Sequence, residues 1–212
     1  MMPVHEQSRK GSLEIICGSM FSGKSEELIR RLRRAKIAKQ NVVVFKPAID
    51  NRYNTTSVTS HNGTKIDAYA TSSSSAILEI IKKEDYSVVG IDEIQFYTHD
   101  IIAIIGALLE QQLRIIVAGL DLDFRGAPFG PTPTLLALAD SVSKLRAICT
   151  ACGNDAHFSQ RLSLNNNPVD QSDIAQKDLI MVGSTEAYVA RCRDCYHTDL
   201  PFNYQIQQQV EQ

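Results

Sequence analysis

The octet Gly18-Ser19-Met20-Phe21-Ser22-Gly23-Lys24-Ser25 follows the spacing G-x-x-x-x-G-K-[ST]. Successive backbone N–H groups in such a loop cradle phosphate oxygens, the lysine reaches the β- and γ-phosphates, and the following hydroxyl ligates Mg²⁺. Lys24 and Ser25 therefore point to a nucleoside triphosphate. An ordinary glycine-rich turn fits the same letters, so the setting decides. Leu13 to Cys17 is a short apolar, β-rich run, and residues 24–40 carry Leu28, Ile29, Leu32, Ala35 and Ile37 at helical spacing. The loop thus joins a strand to a helix start, where the helix N-terminus adds its own attraction for anions.

Phosphate chemistry with Mg²⁺ needs a carboxylate at the carboxyl end of a nearby strand. Val88-Val-Gly-Ile-Asp92-Glu93 has that form. Asp92 is the metal-side candidate, acting through water because Mg²⁺ keeps much of its hydration shell. Glu93, next to it, is the candidate general base for an attacking hydroxyl or water. Two solvated acids at a strand end would be the bland alternative. The Asp-Glu pair alone does not choose between hydrolysis and transfer, since ATP-hydrolysing machines of the RecA type carry the same dipeptide. No Asn-Lys-x-Asp segment for reading guanine is present.

Cys149-Thr-Ala-Cys152 and Cys192-Arg-Asp-Cys195 are two C-x-x-C knuckles with 39 residues between them. Four thiolates from two such turns close a tetrahedral Zn²⁺ site, here at the base of the long loop 153–191. The separation exceeds the usual ribbon spacing of about 15–20 residues, and a redox pair is the rival for either knuckle. His157 and His197 lie close enough to substitute but read as ordinary loop histidines. Cys17, inside the first apolar run, reads as a small core residue.

The elements that must hold these groups alternate. Apolar, β-branched runs at 13–17, 42–46, 87–91, 114–119 and 144–148 are interleaved with helical patterns at 24–40, 74–84, 98–112 and 132–141. That is the signature of a parallel sheet in an α/β protein. Residues 47–75 interrupt it, with a hairpin expected around Asn62-Gly63. A composition change after Ile148 sets the expected organisation: a flexible N-terminus 1–11, a nucleotide-binding α/β domain 12–148, a small metal-binding domain 149–200 and a flexible tail 201–212. With 212 residues and net charge −2 there is no global basic field that argues for nucleic acid. No apolar run approaches the roughly 18 residues of a membrane span. The polar start, Met1 to Ser12, lacks a signal-peptide core, which implies a cytosolic address and reduced cysteines.

Taken together, these features resemble the type II, zinc-containing cytosolic thymidine kinases. The likeness runs from Gly11 to about Tyr196 and rests on Gly18 to Leu28, Phe45-Lys-Pro-Ala-Ile-Asp-Asn-Arg-Tyr53, Ser60-His-Asn-Gly63, Gly90-Ile-Asp-Glu-Ile-Gln-Phe96 and Gly119-Leu-Asp-Leu-Asp-Phe-Arg-Gly-Ala-Pro-Phe129. It implies a RecA-like phosphate-loop domain carrying a zinc-held "lasso" loop, and transfer of the γ-phosphoryl of ATP to the 5′-hydroxyl of thymidine. Glu93 falls on the family's base and Arg52 on its phosphate-contacting arginine. Asp92 and Gln95 join Gly18 to Ser25 in the nucleotide site. Met20, Leu120, Phe124 and Phe129 map to the apolar walls around thymine, and Ser159, Leu179, Met181, Gly183 and Tyr188 to the loop that covers it. The resemblance also implies a homotetramer and feedback inhibition by thymidine triphosphate. Two departures stand out: residues 164–173 lengthen the lasso beyond the shortest family forms, and Ser159 replaces a threonine found in some members.

From a different class, a zinc-ribbon, nucleic-acid-stimulated ATPase draws on the basic run Arg30-Arg-Leu-Arg-Arg-Ala-Lys36. The same run reads more simply as the solvated face of the first helix or a subunit contact, with Glu26 and Glu27 one turn before it. A non-catalytic nucleotide-binding regulator sits poorly with Lys24, Ser25, Asp92 and Glu93 all in place.

Overall fold

The computed structural model describes residues 11–48, 57–59, 63, 65–162, 168 and 188–197. The chain opens with β1 (Ser12–Cys17), α1 (Lys24–Ile37) and β2 (Val42–Pro47), then the short strands β3 (Ser57–Thr59), β4 (Lys65–Asp67) and β5 (Tyr69–Thr71). Next come α2 (Ser75–Ile81), β6 (Val88–Ile91), a 3₁₀ turn over Ile94–Phe96, α3 (Ile101–Glu110), β7 (Arg114–Gly119), α4 (Thr132–Leu138) and β8 (Ser141–Lys144). Among the described residues four small strands follow: β9 (Ala147–Ile148), β10 (Asp155–Ala156), β11 (Phe158–Arg161) and β12 (Tyr188–Arg191).

Six strands form one sheet in the order β5-β2-β6-β7-β1-β8, every pairing parallel. A parallel sheet is covered on both faces, and successive side chains point to opposite sides. Both rules are visible in β1, where Leu13, Ile15 and Cys17 pack with α2, α3 and α4 residues such as Ile77, Ile105 and Leu135. Ile16 packs on the other face with Leu28, Ile29, Leu32 and Ala35 of α1 and with Val58 and Ile66 of the β3–β4 hairpin. Burying each leucine-class side chain contributes about 1.5–3 kcal/mol, so α1 is fixed by this stripe more than by its propensity. Its ends agree with the helix dipole: Glu26 and Glu27 in the first turn, Arg34 and Lys36 in the last.

The basic run on α1 is partly absorbed within the molecule. Glu27 accepts Arg30 Nε at 2.6 Å and Arg31 Nε at 2.8 Å, while Arg31 Nη1 reaches Glu14 at 2.8 Å. The Arg30 guanidinium, with Arg31 behind it, holds the Glu27 carboxyl down at about 2.

Two expectations need correction. The run 144–148 is not one strand: Lys144 ends β8, Leu145 N–H donates to Cys17 O at 2.8 Å, and Ala147–Ile148 pairs with β10 instead. The expected helix 132–141 stops at Leu138, because Ala139 leaves helical geometry at ψ 141° and Asp140 is captured by β1. Asp140 N–H donates to Leu13 O at 2.9 Å, and its carboxylate accepts Leu13 N–H at 2.8 Å. Ser141 therefore starts a sixth strand, paired with Glu14. β3 pairs antiparallel with β4, as the expected hairpin requires, while Asn62 itself lies outside the described residues. Among the described residues no helix is long and apolar enough to cross a membrane.

Candidate phosphate-loop site and cysteine cluster

The phosphate loop leaves the carboxyl end of β1 and runs into α1, as its spacing requires. Its entry depends on Gly18, whose φ is 140° and where a Cβ would lie 2.3 Å from Leu145 O. Lys24 Nζ donates to Ser19 O at 2.7 Å, as does Ser22 Oγ at 2.8 Å, folding the loop over its own lysine. Burial lowers the Lys24 ammonium below its ordinary range, opposed by the charges of Glu93, Asp92 and Asp121.

The carboxylates arrive from the end of β6, across the intervening strand β7. Ser25 Oγ donates to Asp92 Oδ2 at 2.9 Å, so the two proposed Mg²⁺ ligands already converge. Asp92 is buried, and burial, reinforced by the Glu93 charge, pushes its carboxyl up to about 7 against the pull of Ser25 and the Glu93 amide. A buried carboxylate starved of positive charge, bonded to a hydroxyl that can also act as a ligand, fits a divalent cation. Glu93 has φ 52°, a left-handed backbone that costs a non-glycine residue roughly 1–3 kcal/mol. Asp92 Oδ1 accepts its N–H at 3.0 Å and Phe96 N–H donates to its carbonyl at 3.1 Å, which lock that geometry.

Of the described residues mapped to the nucleoside pocket beyond the phosphate loop itself, Ser159 reaches that loop directly and the others contact neighbouring elements. Ser159 on β11 is buried, and its hydroxyl accepts Met20 N–H at 2.9 Å. Leu120 N–H donates to Gln95 Oε1 at 2.9 Å, and Phe129 meets Phe96 edge-on with ring centroids 5.6 Å apart. Phe124 is buried; its carbonyl accepts the Tyr196 hydroxyl at 2.6 Å and its ring lies 5.4 Å beneath the Arg161 guanidinium. Tyr188 opens β12, half-buried, opposite Arg161. Arg52, Leu179, Met181 and Gly183, like residues 164–167 and 169–173 of the extended loop, lie outside the described residues.

Four cysteines meet where the β9–β10 hairpin adjoins β12. The sulfurs of Cys149, Cys152, Cys192 and Cys195 all lie within 4.8 Å of one another, with Cys152 and Cys192 at 3.5 Å and no disulfide. Zn–S bonds of about 2.3 Å place tetrahedral sulfurs about 3.8 Å apart, so the quartet fits a metal. Burial raises the Cys149 thiol, but the backbone amides of Cys192, Ala151 and Cys152 outweigh it and hold it at about 6. Hydrogen bonds that the Cys195 thiol donates to the sulfurs of Cys192 and Cys152 push it up to about 12, because neighbouring thiols cannot all ionise without a cation. His157 and His197 are not part of the cluster.

Sequence reasoning missed three residues here. Asp121 is buried at the end of β7 and pairs with Lys144 of β8 at 2.7 Å. Asp123 organises its own turn, accepting Arg125 N–H at 2.9 Å and Ala127 N–H at 3.0 Å. An Asp two residues before Arg-Gly was a readable turn signal. Lys46 donates to Ser57 O at 2.9 Å and senses the Asp92 charge, while burial lowers its ammonium.

A doubly covered parallel sheet, a phosphate loop at the end of β1 and paired acids at the end of β6 define a phosphate-loop α/β protein with an added cluster of four cysteines positioned to bind a metal. A family model described as thymidine kinase matches residues 11–196, and the chain belongs to the thymidine kinase family. The cysteine cluster agrees with the type II branch that the sequence resembles. Membership makes the chain a nucleoside kinase, a phosphotransferase.

Proposed function

We propose that the chain transfers the γ-phosphoryl of ATP to the 5′-hydroxyl of thymidine, giving thymidine monophosphate for DNA precursor synthesis. The observation that carries this is the 2.9 Å bond between Ser25 of the phosphate loop and Asp92, with Glu93 one residue further on. One site thus combines a phosphate cradle, a metal-side pair and a base. ATP lies along Gly18 to Ser25, with Lys24 against its β- and γ-phosphates. Ser25 and Asp92 hold Mg²⁺, which when bound neutralises charge on the phosphate oxygens. Glu93 accepts the 5′-hydroxyl proton as the oxygen attacks the γ-phosphorus in line and ADP leaves. Lys24 and Arg52 stabilise the charge of the transferring group.

Met20, Leu120, Phe124 and Phe129 wall the base, while Ser159, Leu179, Met181, Gly183 and Tyr188 read and cover it, the mix of apolar faces and few polar groups that a planar base requires. Zn²⁺ in the cysteine quartet holds β12 and the long loop's base in place. Family resemblance extends the proposal to a cytoplasmic homotetramer inhibited by thymidine triphosphate.

ADP formation from Mg·ATP tests this, with thymidine, deoxycytidine, deoxyguanosine or no nucleoside added. Thymidine-dependent turnover with matching thymidine monophosphate is expected. Nucleoside-independent hydrolysis raised by DNA would refute it in favour of the ATPase.

A further inference from the structure

Glu93 has a long side chain on a half-buried, strained backbone, and nothing in its own segment except one residue restrains its carboxylate. That residue is Gln95, itself 3% exposed. Gln95 Nε2 donates to Glu93 Oε2 at 2.5 Å, and Gln95 Oε1 accepts Leu120 N–H at 2.9 Å. The amide cannot be turned round: only its NH₂ can donate to a carboxylate and only its oxygen can accept from an N–H. Space for this arrangement comes from missing side chains. A Cβ on Gly119 would lie 2.5 Å from Gln95 Oε1, and one on Gly130 would lie 2.3 Å from Gln95 O.

We infer that Gln95 is a positioning residue that aims the Glu93 carboxylate and ties that aim to Leu120 at the end of β7. The inference rests on Glu93 acting as the base. Both ends of the Gln95 amide are committed to protein, so in place of the nucleotide contact that the resemblance implies for Gln95 its contribution is made through Glu93. Leu120 is a wall of the proposed nucleoside pocket, which places the pocket wall one hydrogen-bonded side chain from the base. A base displaced by about 1 Å can lose on the order of 100-fold in rate, so a linker at this point governs turnover rather than binding.

Two variants and one spectrum test it. Gln95→Glu keeps the shape and the acceptor for Leu120 N–H but faces Glu93 with like charge and no donor; Gln95→Met keeps the length and removes both bonds. Both should lower kcat for thymidine phosphorylation by roughly 100-fold while KM for ATP and thymidine stays unmoved. A purely structural role would instead move KM along with kcat; thermal stability falls in either case, because Gln95→Met leaves Leu120 N–H without its acceptor and Gln95→Glu sets two carboxylates side by side. In ¹H–¹⁵N spectra of the full-length protein, the Gln95 side-chain amide is identified by its disappearance in Gln95→Glu. It should exchange slowly with solvent and shift in Glu93→Ala. Native kcat in folded Gln95→Glu and Gln95→Met, or a Gln95 amide resonance indifferent to Glu93→Ala, overturns the inference. The spectrum needs no substrate, so absence of thymidine turnover in the unaltered protein counts against the proposed function alone, and the amide resonance still decides the Gln95 link.

Discussion

Asp92 is the residue at which stability and function pull in opposite directions. Its carboxyl is raised from an ordinary 3.8 to about 7, first by burial and then by Glu93. A group bound more tightly to its proton in the folded state stabilises the fold at low pH. That stabilisation fades as pH rises from the unfolded value through the folded one, here between about 4 and 7. At about 1.4 kcal/mol per pH unit, the full span corresponds to roughly 4 kcal/mol. Local relaxation and water entry reduce this to a working figure of about 2 kcal/mol.

Asp92→Asn removes the charge and keeps the contacts, since an amide oxygen can accept Glu93 N–H while its NH₂ donates to Ser25 Oγ. In Mg²⁺-free buffer without chelator, the variant should therefore melt about 4–8 °C above the unaltered protein at pH 8, at 2–4 °C per kcal/mol for this chain length. The gain should fall to about a third at pH 5 and vanish near pH 4, the unfolded value. Added Mg·ATP should reverse the ranking, because ligand at 100 times its Kd stabilises the unaltered protein by about 2.7 kcal/mol and the variant by less. Differential scanning calorimetry at these pH values, with and without Mg·ATP, measures all of this. A variant no more stable at pH 8, or equally stabilised at pH 5, would refute the assignment of a buried, charge-starved carboxylate.

Three further outcomes follow from the same contacts. Glu93→Gln should cut thymidine turnover by about 10²–10⁴-fold with ATP affinity nearly unchanged; retained turnover in a steady-state assay excludes Glu93 as the base. Stripping metal from the cysteine quartet, verified by metal analysis, should lower the melting temperature and weaken both thymidine and ATP binding in calorimetric titrations. The ATP effect is expected because β11, paired to β12, carries the Ser159 hydroxyl that accepts Met20 N–H in the phosphate loop; untouched affinity for both ligands would show the cluster to be uncoupled from the site. Asp140→Ala leaves Leu13 N–H without its 2.8 Å acceptor and should cost about 1–2 kcal/mol in chemical denaturation, whereas no loss would mean that water replaces the carboxylate.

What the sequence revealed of this protein was what is local in it. Gly18 to Ser25, Asp92-Glu93 and each Cys-x-x-Cys pair carry their chemistry within a few residues, so spacing and the adjoining apolar runs exposed them. β1, β2, β6 and β7 were legible because strands buried on both faces read as unbroken apolar runs. The two edge strands were not. β8, Ser-Val-Ser-Lys, is largely exposed and is a strand only because Glu14 to Cys17 offer it a partner, and β5 is three residues long. Asp140 ends a helix through a contact with Leu13, and Gln95 acquires its partner at Leu120; neither pairing leaves a mark in the neighbouring sequence.

The strand that carries the phosphate loop is made first and completed last. β1 lies between β7 and β8, so its pairings Ser12 with Arg114 and Glu14 with Ser141 wait for most of the chain to be synthesised. Met20 N–H then waits for Ser159, and the cysteine quartet for Cys195. Contacts so distant in sequence slow folding and leave a half-made chain with an unpaired apolar strand, which makes the nascent protein a natural client for chaperones. A chain that ends before β8 lacks the edge partner of Glu14 to Cys17 and the Leu145 N–H that Cys17 O accepts, so the strand leading into the phosphate loop is left with one open side.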